Sequence, residues 1–160
     1  MSQTPTPIKR SPQLAPLSRE HHEGLLFVWK IRQGVRNGIE ATRISCFVQW
    51  FWQQHLAAHF EKEERFLPAI LTHSHPMMAQ MFREHAEIKN GVESIAQHGD
   101  LKKLEQLAQA VDDHIRFEER QLFTEIEKQA SPEQLDLLST QLVDEKNDTI
   151  WEDEFWTKQK

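Results

Sequence analysis

One pattern occurs twice in this chain, as His59-Phe60-Glu61-Lys62-Glu63-Glu64-Arg65 and as His114-Ile115-Arg116-Phe117-Glu118-Glu119-Arg120. Positions four apart on a helix lie one above the other, so each copy sets an imidazole beside a carboxylate on one face. Both pairs continue apolar stripes at helical spacing. The first follows Ile44, Phe47, Val48, Phe51, Trp52 and Leu56, and runs on to Phe66, Leu67 and Ile70. The second lies among Leu104, Ala108, Val111, Ile115, Leu122 and Ile126. A carboxylate on a buried stripe is unfavourable unless a cation or hydrogen-bond donors satisfy it. Two such faces set against each other could hold metal ions between helices.

The rest of the chain agrees with a helical protein. It has 160 residues, enough for one domain with a sizeable core. Glycine and proline are few, and four of the seven prolines lie in the first sixteen residues. The formal net charge of -6 argues against a nucleic-acid partner. Cys46 is the sole cysteine, which excludes an intramolecular disulfide, and it is expected to be a small core residue. No apolar run is long enough to span a membrane, and the N-terminus lacks an apolar signal core. A cytoplasmic location is therefore expected.

The expected organisation is a loose leader over 1–16, a helical bundle over 17–130 and a helical extension over 131–160. Ser18 is the expected N-cap of a first helix over about 18–36, with Leu25, Leu26, Val28, Trp29, Ile31 and Val35 as its apolar residues. A second helix over about 40–71 should bend or stop near Pro68. A third spans about 76–97, with Pro76 in its first turn, and a fourth about 101–129. A fifth, over about 132–156, carries Trp151 and Trp156, which are expected to cover the edge of the core or to meet a partner. Short connectors favour an all-α, up-down-up-down four-helix bundle with an additional C-terminal helix.

Polar residues on the apolar stripes make the candidate site: His21 or His22, His59, Glu63, His85, His114 and Glu118. Imidazole and carboxylate together suit iron, manganese or zinc, and two ions bridged by Glu63 and Glu118 would satisfy both acids. His21 is favoured over His22, because Leu17, Leu25, Val28 and Val35 share its face; His22 is then a rim or outer group. His55, one turn before His59, is expected to line the pocket or to bond outside the metal ligands. His73, His75 and His98 are expected at the surface. Glu64 and Glu119 point away from their histidine partners and are expected to pair with Arg65 and Arg120 at the rim.

The phrases Arg19-Glu20-His21-His22-Glu23, His59-Phe60-Glu61-Lys62-Glu63-Glu64, Glu84-His85-Ala86-Glu87-Ile88 and His114-Ile115-Arg116-Phe117-Glu118-Glu119 together resemble the haemerythrin-like, or HHE cation-binding, family. The resemblance implies a four-helix bundle around a non-haem diiron centre (Fe2+/Fe3+), often oxo- or hydroxo-bridged. It implies that histidines of the third and fourth helices serve one iron, those of the first and second the other, and that the acids bridge. Two departures stand out. Lys89 occupies the place where oxygen-carrying haemerythrins have a second third-helix histidine. Glu118 lies four residues after His114, where those carriers place an aspartate at five. Water or another carboxylate, Glu93 or Glu40, could then complete one iron.

The expected function is a metal-binding protein that binds or senses dioxygen, nitric oxide or peroxide, or holds iron. Zinc or manganese is the alternative metal. The competing readings are a diiron enzyme that reduces peroxide, and a metal-stabilised interaction module that forms a homodimer or meets a protein partner through its C-terminal helix. No glycine-rich phosphate loop and no nucleophilic triad pattern is present in the sequence.

Overall fold

A computed structural model describes residues 9–142 and 147–157. The described residues form an all-helical bundle built on four rods. The first rod is α1 (Ala15–Arg36). The second is α2 (Ala41–Phe51), a π-helical turn (Trp52–Leu56) and α3 (Ala57–Phe66), stopped by a 3-10 turn over Leu67–Ala69 that contains Pro68. The third is α4 (Pro76–Gln97). The fourth is α5 (Leu101–Phe117), a second π turn (Glu118–Leu122) and α6 (Phe123–Gln129). A shorter helix, α7 (Pro132–Gln141), begins with a Ser131–Gln134 capping box. In chain order each rod packs on the next, and α5 closes the ring on α1. No helix among the described residues is long and apolar enough to cross a membrane.

The π turns follow from the spacing of the inward residues. His114, Glu118, Leu122 and Ile126 recur every four residues and are all buried. From His114 to Ile126 an unbroken α-helix would drift roughly 120° from its starting face; one extra residue in a wide turn cuts this to roughly 20°. The same correction operates between Phe47 and His59, both buried.

The buried apolar residues form two clusters. One contains Phe27, Ile31, Phe47, Phe51, Ile88, Leu104 and Val111. The other contains Leu17, Leu67, Met78, Met81, Leu122, Phe123 and Ile126, with Leu138 and Leu142 from α7. Helix α1 faces these cores with Leu17, His21, Gly24, Phe27, Val28, Ile31 and Gly34. Its expected core residues Leu25, Leu26 and Trp29 are 39%, 39% and 48% exposed instead. Two glycines account for the difference. They lie on the inward line and allow close approach: a Cβ at Gly24 would come within 2.8 Å of Ile115, and one at Gly34 within 2.7 Å of Phe155.

Four further expectations differ. Residues 1–8 of the expected loose leader lie outside the described residues, but its described end is held. Leu14 is fully buried, and Arg10 and Ser11 bond to Glu127. Helix α1 therefore starts at Ala15, and the Ser18 hydroxyl donates to Glu119 rather than capping. The fifth helix ends at Gln141; residues 147–154 are irregular, and 143–146 lie outside the described residues. The run Asp144-Glu145-Lys146-Asn147-Asp148 has no apolar face to bury. Beyond it, the C-terminal segment lies back on its own bundle. Phe155 is fully buried against Phe47, and Trp151 and Trp156 pack on the same ring. Cys46 is exposed, because Ile44, Phe47 and Val48 turn it outward.

Phe155→Ala should remove a ring that fills the space above Gly34. We expect a loss of about 3 kcal/mol in unfolding free energy by urea denaturation, with the helical content of the native state unchanged.

Candidate metal centre

Between the two apolar clusters lies a polar layer. His21, His59, Glu63, His85, His114 and Glu118 are each no more than 4% exposed. Helix α1 supplies His21, α3 supplies His59 and Glu63, α4 supplies His85, and the α5 rod supplies His114 and Glu118. They form two overlapping groups, His21–His59–Glu63–Glu118 and Glu63–His85–His114–Glu118, and within each the potential ligand atoms all lie within 4.8 Å of one another. Both carboxylates belong to both groups.

The distances describe a compact knot. Glu63 Oε1 lies 3.2 Å from Nε2 of both His59 and His85. Glu118 Oε1 lies 2.8 Å from His21 Nε2 and 3.1 Å from His114 Nε2. The second oxygens each face a third histidine, with Glu63 Oε2 3.7 Å from His21 Nε2 and Glu118 Oε2 3.6 Å from His85 Nε2. Yet both oxygens of Glu63, Oε2 of Glu118 and the Nε2 atoms of His59, His85 and His114 are buried with no hydrogen-bond partner among the described residues. Buried polar atoms are nearly always satisfied. Six unsatisfied atoms converging on one space fit a cation-binding centre, and the mixed imidazole–carboxylate donor set suits iron, manganese or zinc.

Each histidine turns its other nitrogen outward to a second carboxylate. His59 Nδ1 lies 2.8 Å from Glu20, His85 Nδ1 2.7 Å from Glu64, His114 Nδ1 2.8 Å from Glu84, and His21 Nδ1 3.1 Å from Glu119. Such a contact fixes the tautomer, aims Nε2 inward and raises the basicity of the imidazole. Every one of these contacts joins two rods, first to second, second to third, third to fourth and fourth to first.

Glu64 and Glu119 therefore do not form the expected rim pairs with Arg65 and Arg120. They point away from the histidine of their own helix and toward that of a neighbour. Glu20 and Glu84 were not expected in this role; the available signal was their position immediately before His21 and His85. His22 is exposed and belongs to neither group, being turned by one helical step from His21. Glu40, Glu93 and Lys89 are exposed and also lie outside both groups. His55 is half-buried, packs on Trp50 and Phe51, and lines a cavity beside His59. His73 and His98 are exposed, and His75 accepts a bond from Met77 N–H at the start of α4.

In the metal-free protein the imidazoles are strong bases. Burial lowers their basicity, but the carboxylates outweigh it. The Glu63 charge and the bond to Glu20 raise His59 to about 10. The nearby Glu118 and Glu63 carboxylates and the bond to Glu64 raise His85 to about 11. The Glu118 carboxylate and the bond to Glu84 raise His114 to about 9. His21 shifts upward for the same reason. Burial pushes Glu118 up, but the surrounding histidines hold it well below the usual carboxylate range.

The hemerythrin HHE cation binding domain model matches residues 17–126, which contain all seven histidine and glutamate residues of the two repeated phrases together with His21 and His85. No curated protein and no solved structure gives a match to the chain.

Two predictions follow the electrostatics. Groups raised above their unfolded value of 6.5 add stability that is complete below that pH and is lost as pH rises through the folded values. The melting temperature of metal-free protein should therefore fall between about pH 7 and pH 11, a range over which the metal-loaded protein should change less. Glu84→Ala should strip His114 Nδ1 of its partner and weaken metal binding about 10- to 100-fold in a chelator competition titration.

Proposed function

The chain belongs to the hemerythrin HHE cation binding domain family, and we propose that its two overlapping ligand groups hold a pair of non-haem iron ions within an up-down-up-down bundle. The observation that carries this reading is the sharing of Glu63 and Glu118 by both groups, with three of their four oxygens and three Nε2 atoms left without hydrogen-bond partners. A charge argument supports a pair over a single ion: four protons on four imidazoles carry the same charge as two divalent cations. Loading would exchange one set for the other without adding net charge to a buried layer. Iron would supply reaction with dioxygen, nitric oxide or peroxide, which zinc would not.

The protein's own residues would do the rest. Glu63 and Glu118 would bridge the two positions, and each imidazole would be aimed by its outer carboxylate. Two imidazoles and two shared carboxylates per position leave room for a further ligand. Phe60 lies flat on His85 at 3.8 Å between ring centroids, and Phe123 stacks on His21 at 5.1 Å. These rings keep water from the flanks. A cavity of about 110 Å³ reaches His59 between Glu20, Phe51, His55, Lys62 and Asn147. It is large enough for a diatomic or peroxide ligand. This supports a protein that binds or senses such a molecule, or holds iron.

A second reading, in which the metal only ties the rods together, is favoured by the outer carboxylates, each of which joins two rods. Anaerobic reconstitution with ferrous iron followed by exposure to air separates the two. We expect two irons per chain and a near-ultraviolet charge-transfer band of a bridged iron pair. One zinc per chain with no response to iron would leave the structural role alone.

A further inference from the structure

The second π turn creates a specific hydrogen-bonding problem. In an α-helix the Phe123 N–H would donate to the carbonyl of Glu119; here it donates to Glu118 one residue earlier. The Glu119 carbonyl loses its α-helical donor at the position whose side chain reaches His21. Arg10 answers that need: its guanidinium donates to the Glu119 carbonyl. The same group ion-pairs with Glu127 at 2.7 Å and lies 5.5 Å from the centre of the Phe123 ring. Ser11 N–H bonds the second oxygen of Glu127 at 2.5 Å. The Arg10 side chain is 8% exposed, so this is a built contact and not a surface pair.

We propose that Arg10 is a positioning residue for the metal centre, acting by holding the Glu118–Leu122 π turn in the register that sets Glu118 between the two ligand groups and Glu119 against His21. Arg10 lies outside residues 17–126, so the segment before the family-matched region completes the site. The path is short and continuous. Arg10 bonds the backbone of Glu119, the Glu119 carboxylate bonds His21 Nδ1 at 3.1 Å, and Ser18 donates to the same carboxylate at 2.9 Å. His21 belongs to only one of the two groups, so loss of Arg10 weakens that metal position more than the one formed with His85 and His114. In the other π turn the exposed Asn147 donates to the Gln54 carbonyl at 2.7 Å, one residue past the carbonyl that loses its donor, so that turn has no equivalent of this contact among the described residues.

The inference rests on the two-ion reading, and wild-type protein titrated alongside tests that reading separately. The probe is Co2+, added to metal-free full-length chain and followed by its visible absorption, which reports coordination geometry. Wild type taking up fewer than two ions would sink the two-ion reading; the comparison of affinities for the ions it does bind still decides the role of Arg10. In Arg10→Met we expect the ion at the His21 position to bind about 10- to 100-fold more weakly, the other, which shares Glu118 but not His21, to lose distinctly less, and the visible spectrum of the weakened position to change. Arg10→Lys keeps a cation but cannot serve Glu119 and Glu127 together as a guanidinium does, and should recover only part of the loss. If Arg10→Met fails to fold, the same selective weakening is expected in Arg10→Lys. Wild-type affinities and spectra in both variants would overturn the proposal. So would an equal loss at both positions that tracks a fall in helical content, because that is the mark of a merely structural residue.

Discussion

Two carboxylates, Glu63 and Glu118, sit with no exposure at the middle of a helical bundle. Charge in such a place must be balanced, because an unpaired buried carboxylate would neutralise or disrupt the fold. Four imidazoles surround the two acids, one from each rod. Their basicity follows from this: the carboxylates pull protons onto the histidines more strongly than burial drives them off. The division of the apolar core into two clusters has the same origin, since this polar layer separates them.

The outer carboxylates make the layer cyclic. Glu20, Glu64, Glu84 and Glu119 each leave one rod and bond the histidine of another, and the fourth contact returns to the first rod. No histidine orientation is set by its own helix alone. Rod packing and imidazole direction are therefore one variable rather than two, which is how a bundle of ordinary helices can hold ring nitrogens to a narrow geometry.

The repeated phrase made much of this legible. The inward His59–Glu63 and His114–Glu118 pairs are same-helix relations, which spacing reveals directly. The third and fourth rods run over 76–97 and 101–129 as their periodicity predicts. Contacts between helices were less visible. Glu64 and Glu119 could be read as turned away from their own histidines, but not as turned toward His85 and His21. On α1 the apolar residues Leu25, Leu26 and Trp29 obscured the true inward line, two of whose positions, Gly24 and Gly34, carry no side chain. Trp151 and Trp156 lie in the segment expected to continue the fifth helix; aromatic contacts with Phe47 instead draw them onto the bundle along an irregular path. Cys46 shows the reverse error, since residue type suggested burial where helical phase decides exposure.

The π turns have one more consequence. Each holds a single residue beyond what an α-helical turn needs, and each lies within a turn of a ligand pair. Deleting one residue there would return the rod to ordinary winding and leave the faces beyond it nearly where they are, because the wide turn already absorbs the roughly 100° that the extra residue adds. Each π turn is therefore a place where a rod can change length by one codon while the residues on either side keep the neighbours they now face.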